Sequence, residues 1–136
     1  MNRRDFQILS RVRLKEAKAL LGLGLYDGAY YLAGYSVECA FKACIAKQTK
    51  RYDFPDRDLV QVFTHAPRQL LVKAGLDREL NTHASADPLF RTNWDTVLKW
   101  AVDSRYNVHR REDADLLIRA VGDRHHGVMT WLKRYW

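Results

Sequence analysis

Cysteine is scarce in this sequence, with only Cys39 and Cys44 present. On a helix five residues turn by about 500°, so the two thiols point in different directions and do not pair with each other. No other cysteine or histidine stands beside them at the spacing of a metal site, so we expect no metal and no cofactor. We interpret both as small buried hydrophobic residues of a protein from the reducing cytosol.

Long apolar stretches are also absent. The N-terminal residues carry charges every few positions and lack the apolar core of a signal peptide. The longest uncharged run, residues 28–37, is shorter than the roughly 18 apolar residues of a membrane helix. We therefore expect a cytoplasmic protein without a membrane-spanning segment.

The sequence also lacks strand-length alternation and internal repeats, and what it contains is helical periodicity. Its 136 residues and 47% apolar composition are enough for one hydrophobic core. We predict a single domain over residues 1–136 with an all-α fold, an antiparallel up-and-down bundle of four long helices plus short extra turns. The predicted long helices cover residues 5–23, 26–47, 87–101 and 112–136.

Helix-breaking and helix-capping residues predict the shorter segments between the long helices. A short helix is expected to start at Thr64 or His65 and to stop at Gly75. Charge, Pro55 and the loss of periodicity predict a surface loop between Gln48 and Thr64. Residues 76–88 are ambiguous between a helical turn and a loop.

The first helix is expected to bury one apolar row. This row contains Leu9, Val12, Ala19 and Leu20. Glu16 falls on the same row, and a carboxylate there should find a hydrogen-bonding partner or a protein interface. The second helix has a wider apolar stripe, which is typical of the most buried helix of a bundle.

The charge of the chain is strongly positive. The formal net charge is +7 and the pI is about 9.6. Such a balance favours anionic partners, nucleic acid among them, without establishing one.

Three stretches of the sequence resemble the HEPN domain family, small helical bundles whose name stands for higher eukaryotes and prokaryotes nucleotide-binding. The first is "YLAGYSVECAFKACI", with Glu38 followed four residues later by Lys42; the others are "FTHAPRQLL" and "RYNV". The resemblance implies a helical bundle that commonly dimerises and that binds RNA or a nucleotide. It also implies an alternative, because many HEPN proteins are endoribonuclease toxins paired with a minimal nucleotidyltransferase antitoxin.

The family's catalytic motif is an arginine, four to six residues and then a histidine, often with a polar residue directly after the arginine. Here Arg105 and His109 enclose only three residues, and Tyr106 follows the arginine. On a helix the missing residue rotates His109 by about 100° relative to its direction in the version of the motif with four intervening residues. Literal spacings occur at other positions, between Arg78 and His83 and between Arg119 and His125 or His126.

The stretch "SRYNVHRRED" still suits phosphate chemistry. Histidine transfers protons near neutral pH, and the planar guanidinium of arginine matches phosphate. Arg105 and His109 are therefore candidate catalytic residues of a metal-independent endoribonuclease. Arg105, Tyr106, Arg110 and Arg111 are candidate contacts to phosphate or nucleic acid at a helix start.

The alternative for this stretch is a solvated basic helix start, in which Glu112 and Asp113 favour the helix N-terminus and pair with the arginines. The shortened spacing makes binding the preferred prediction and cleavage the alternative. The expected partners are a second copy of the chain, RNA or a nucleotide, and a minimal nucleotidyltransferase.

Overall fold

The computed structural model describes residues 1–48 and 64–136, and every regular element in this part of the chain is a helix. The predicted all-α bundle is confirmed. The helices are α1 Arg3–Gly22, α2 Tyr26–Gln48, α3 Pro67–Lys73, α4 Asp77–Ala86, α5 Pro88–Leu98, the 3₁₀ helix Val102–Tyr106, α6 Arg111–Gly122 and α7 Val128–Leu132. The surface loop predicted after Gln48 falls on positions 49–63, which lie outside the described residues.

Helices α1 and α2 form a hairpin. A capping box starts α1, because the Asn2 side chain accepts from the Asp5 N–H and the Asp5 side chain accepts from the Asn2 N–H. Gly24 adopts a positive φ of 76° in the connection, a conformation that glycine reaches without steric cost. This short turn sends α2 back antiparallel to α1.

The buried face of α1 differs from the predicted row. The structure buries Ser10, Leu14 and Ala17, while Val12 is 42% exposed. Small side chains let α1 approach α2 closely, and the Ser10 hydroxyl donates to the Ser36 carbonyl oxygen at 2.8 Å. The large apolar residues of the predicted row therefore lie at the flank of the α1–α2 interface, and small residues form its centre.

Helix α2 is the central element of the bundle, as its wide apolar stripe predicts. Twelve of its residues are buried. Gly34 lies under the indole of Trp100, since a Cβ atom at Gly34 would come within 2.2 Å of that ring. This contact holds the chain after α5 against α2 and so places the 3₁₀ helix.

The predicted last helix is wrong in length, because α6 ends at Gly122 and α7 begins at Val128. Between them the Asp123 carboxylate accepts from the backbone N–H groups of His125 and His126, at 3.1 Å and 2.6 Å. A Cβ atom at Gly127 would lie 2.5 Å from the Asp123 carbonyl oxygen. The tight turn therefore requires the glycine. The sequence did not indicate this turn, because the apolar residues on both sides of it keep one helical period.

The ends of the remaining helices agree better with the capping residues in the sequence than with its apolar periodicity. Asp87 caps α5 through a 3.1 Å hydrogen bond from the Phe90 N–H, and α5 ends at Leu98 instead of Ala101. Gly75, with a positive φ of 67°, follows α3 as expected. The ambiguous stretch is the ten-residue helix α4.

Candidate nucleic-acid interface

The segment "SRYNVHRRED" contains a 3₁₀ helix, an extended stretch and the start of α6. The 3₁₀ helix ends at Tyr106, and Asn107 and Arg110 are both extended. The prediction of a helix start is therefore right for Arg110 and Arg111 and wrong for Arg105 and His109, which precede α6. Because the chain between Arg105 and His109 is not α-helical, the expected 100° rotation of His109 does not apply.

His109 is fixed by contacts on three sides. Its ring stacks on Tyr30 with centroids 3.9 Å apart and an interplanar angle of 15°. Its Nε2 lies 3.1 Å from the Ser104 carbonyl oxygen, and since a carbonyl only accepts, Nε2 carries the proton. The backbone N–H donates to the Asp27 carboxylate at 2.6 Å. His109 thus fastens the extended stretch to the first turn of α2.

Arg105 and Tyr106 form an exposed pair beside this anchor. The Arg105 guanidinium lies over the Tyr106 ring, 4.8 Å from its centroid, and Tyr106 is 75% exposed. A hydrogen bond with the Tyr106 side chain, followed by interaction with Tyr31, raises the pKa of Arg105 above its ordinary value. The arginine stays charged while its aromatic neighbour faces solvent.

Arg110 and Arg111 add charge at the start of α6. Arg110 occupies the cap position, and its N–H donates to the Asp113 carboxylate at 3.2 Å. Its guanidinium lies 3.9 Å from the same carboxylate and its side chain is 83% exposed. Such an exposed pair contributes little to stability and leaves the arginine free to contact an anion. Arg111 is exposed at the next position.

The carboxylates of Asp27 and Asp113 accept hydrogen bonds from the backbone of this basic segment. Burial raises the pKa of Tyr30, and the nearby charge of Asp113 raises it further. Asp27 holds the His109 backbone, and it lines an open depression of about 350 Å³ together with Leu25 and Val108. The arginines are exposed, and the two carboxylates hold the backbone of the segment that carries them. Asp27 and Tyr30 were missed from the sequence, because they lie in another helix far from "SRYNVHRRED" and only the fold brings them there.

The other arginine and histidine spacings do not form comparable sites. Arg119 pairs with Asp115 at 2.7 Å within α6, and His126 lies beyond the end of that helix. The single helix predicted over residues 112–136 would have placed Arg119 and His126 on one face, two turns apart, and the turn after Gly122 removes that arrangement. Arg78 and His83 both lie in α4, where five residues separate their directions by about 140°.

His83 and His126 instead flank Asp87. His126 Nδ1 lies 2.7 Å from the Asp87 carboxylate, and His83 Nε2 lies 3.9 Å from it. His83 also packs edge-on against Phe90, with centroids 4.5 Å apart. This cluster ties the turn before α7 to the start of α5.

Glu38 and Lys42 form an ion pair that is largely buried. Glu38 is 2% exposed, and its Oε1 accepts from Lys42 Nζ and from His65 Nδ1, each at 2.7 Å. The pair and the histidine connect α2 to the residues that precede α3. Their position gives them a structural role.

The two thiols lie in the core, as predicted. Burial raises the pKa of Cys39 to about 11 and that of Cys44 to about 12. Neither thiol is a nucleophile near neutral pH, because the reactive species is the thiolate.

Within residues 1–48 and 64–136, no three His, Cys, Asp or Glu side chains are grouped so that they could hold a metal ion. None of the helices in these two stretches combines the length and apolar character needed to cross a membrane. Comparisons with family models, curated proteins and solved structures found no match to this chain.

Proposed function

We propose that this protein is a HEPN-like binding module for RNA or a nucleotide, and that Arg105, Tyr106, Arg110 and Arg111 contact the ligand. The observation that carries the proposal is the exposed pair of Arg105 and Tyr106, next to two further exposed arginines. A guanidinium contacts phosphate, and an exposed aromatic ring stacks on a base. The resemblance to HEPN domains in the α2 sequence supports the same class of ligand.

The contacts of His109 restrain it as a catalyst. A catalytic histidine needs a ring nitrogen directed at the 2′-hydroxyl or at the leaving oxygen of RNA. Nε2 donates to the Ser104 carbonyl, so Nδ1 is the ring nitrogen left for proton transfer, and stacking on Tyr30 covers one face of the ring. His109 holds the segment on which Arg105 and Tyr106 are presented.

Single substitutions separate the two kinds of contact. We expect Arg105→Ala to weaken binding of a labelled single-stranded RNA and to reduce the slope of log affinity against log salt by about 0.7, because one phosphate contact is lost. We expect Tyr106→Ala to weaken binding by about 1–3 kcal/mol with an unchanged salt slope, because a stacked base carries no counterions. Fluorescence anisotropy over a salt series measures both quantities.

Arg91→Ala is the matched control, since Arg91 is exposed on α5. It removes the same charge from a different helix. If Arg91→Ala weakens binding as much as Arg105→Ala, or if the wild type binds no RNA, the proposed interface is wrong.

One observation favours the alternative, a metal-independent endoribonuclease toxin. The chain after Tyr106 is extended, so the argument that a helix would rotate His109 out of the position the motif requires does not apply to Arg105 and His109. Cleavage of RNA by the purified protein in a chelator, lost in His109→Ala with the helical circular dichroism retained, would establish this activity. Intact RNA under those conditions would leave binding as the function.

The proposed partners follow from the same resemblance. A second copy of the chain is the first, and a minimal nucleotidyltransferase is the second. Leu25 and Val108, which are 54% and 90% exposed, lie beside the proposed interface and suit a protein contact.

A further inference from the structure

A stripe of cations runs along the outer face of α1. Arg4, Arg11 and Lys18 follow one another at seven-residue spacing, so successive side chains differ in direction by about 20° and the first and last by about 40°. All three side chains are exposed. Fourteen residues of helix span roughly 21 Å, so the stripe is long enough to contact several successive phosphates of an extended strand.

Lys133 joins the stripe from the end of α7. The Arg11 guanidinium lies 4.8 Å from the centroid of the Trp136 ring, and Lys133 Nζ lies 5.8 Å from it. Burial lowers the pKa of Lys133 below its ordinary value, and the neighbouring charges of Arg11 and Lys18 lower it further. These like charges are therefore close to one another.

The nearby carboxylates are engaged elsewhere. On α1, Asp5 belongs to the capping box and Glu16 pairs with Arg13; both lie about 120–140° around the helix from Arg11. Asp123 accepts from two backbone N–H groups in the turn before α7. The ion pairs formed among residues 1–48 and 64–136 include none of the four cations of the stripe.

We propose that Arg4, Arg11, Lys18 and Lys133 form a second phosphate-binding surface, which holds the backbone of a single-stranded nucleic acid along α1. Converging cations without acidic partners repel one another, and an anionic strand relieves the repulsion while releasing its own counterions. The surface goes beyond the proposed interface because it uses α1 and the end of α7. It also rests on different observations.

The arrangement favours a nucleic acid over a lipid surface. A helix that lies on a membrane presents an apolar face bordered by cations. Ile8 and Val12 are exposed beside the stripe, at 49% and 42%, but Asp5 and Glu16 lie at the far border of this apolar strip. Anionic headgroups would repel those two carboxylates, whereas a strand that follows only the cations avoids them.

The test compares two double variants with the same change in charge. Arg11→Gln with Lys133→Gln removes the centre of the stripe, and Arg78→Gln with Arg91→Gln removes two exposed cations from α4 and α5. The probe is a fluorescein-labelled single-stranded RNA of about 20 nucleotides, titrated between about 50 and 200 mM salt. We expect the first variant to bind several-fold more weakly, with a salt slope reduced by about 1.4, and the second to resemble the wild type.

An equal loss in both double variants would mean that only net charge acts and would overturn the proposal. If the melting temperature of the first double variant falls, the single variant Lys18→Gln, at an exposed position, replaces it in the same titration. Its unchanged affinity and slope would also overturn the proposal. A membrane-binding result would overturn the proposal as well. In that result RNA binding is weak, the wild type sediments with phosphatidylserine vesicles, and the double variant Ile8→Ser with Val12→Ser does not.

The two proposals fail separately. Weaker binding in the Arg105→Ala variant with wild-type binding in the α1 variants contradicts this surface alone. The opposite pattern supports this surface and contradicts the interface at Arg105. A wild-type protein that binds no RNA contradicts both.

Discussion

At the scale of single residues, burial decides what an acid and base pair contributes. Arg13 and Glu16 pair on α1 with side chains that are 31% and 42% exposed. Glu38 and Lys42 pair on α2, where the side chains are 1% and 14% exposed. The Glu38 carboxylate has lost its hydration and depends on Lys42 and His65, because a buried charge without partners is costly.

We therefore expect Lys42→Ala to lower the free energy of unfolding by about 2–4 kcal/mol, because the change leaves Glu38 buried with His65 as its remaining partner. Arg13→Ala breaks the partly exposed pair with Glu16 and should cost less than about 1 kcal/mol. Urea unfolding followed by circular dichroism measures both variants. Similar losses in the two variants would contradict the assignment of a structural role to the buried pair.

At the scale of elements, caps and turns connect the helices. Asp87 caps α5 and also accepts from His126. The hydrogen bond from His126 lowers the pKa of Asp87 below its ordinary value of 3.8, and the hydrogen bond from the Phe90 N–H lowers it further. A carboxylate whose pKa is depressed by folding stabilises the fold above its ordinary pKa, and this stabilisation is lost as the pH falls through the depressed value.

This linkage predicts the pH dependence of an Asp87→Asn variant. Asparagine still caps α5 but carries no charge for His126. We expect the wild type to melt at a higher temperature than the variant at neutral pH, and the difference to shrink as the pH falls below about 3.8. Thermal melts from neutral to acidic pH measure the difference. Asp95→Asn, at an exposed position of α5, is the control, and a pH-independent difference for Asp87→Asn would contradict the linkage.

At the scale of the whole molecule, apolar side chains remain exposed beside the proposed interface. Leu25 and Val108 border one depression, and Leu23, 73% exposed, lies in the same turn between α1 and α2. A second copy that covers these residues would place two sets of the Arg105 segment close together. This arrangement agrees with the dimer that the HEPN resemblance implies.

We expect the protein to be a homodimer with about twice the 15.9 kDa mass of the chain in light scattering. Val108→Asp should shift it to the monomer, because a carboxylate at the centre of an apolar contact loses its hydration. Val72→Asp is the control, since Val72 is 59% exposed on α3 and outside this depression. A wild-type protein with the mass of one chain would contradict the predicted homodimer.

The sequence by itself determined the helical class and most helix starts, because periodicity and caps act over neighbouring residues. The start of α5 at Pro88, the stop at Gly75 and the burial of α2 followed from such local signals. The tight turn at Gly127 was hidden, because the apolar positions on both sides of it keep one helical period.

The tertiary structure alone decided which face of α1 is buried, because close approach to α2 depends on small residues such as Ser10. It also placed Asp27 and Tyr30 under His109, a contact between distant parts of the chain that no local pattern encodes. The basic residues of the candidate interface were readable from the sequence, since charge is a property of the side chain itself. Whether His109 faces a ligand or braces the chain depends on its neighbours in space, and only the packed bundle fixes them.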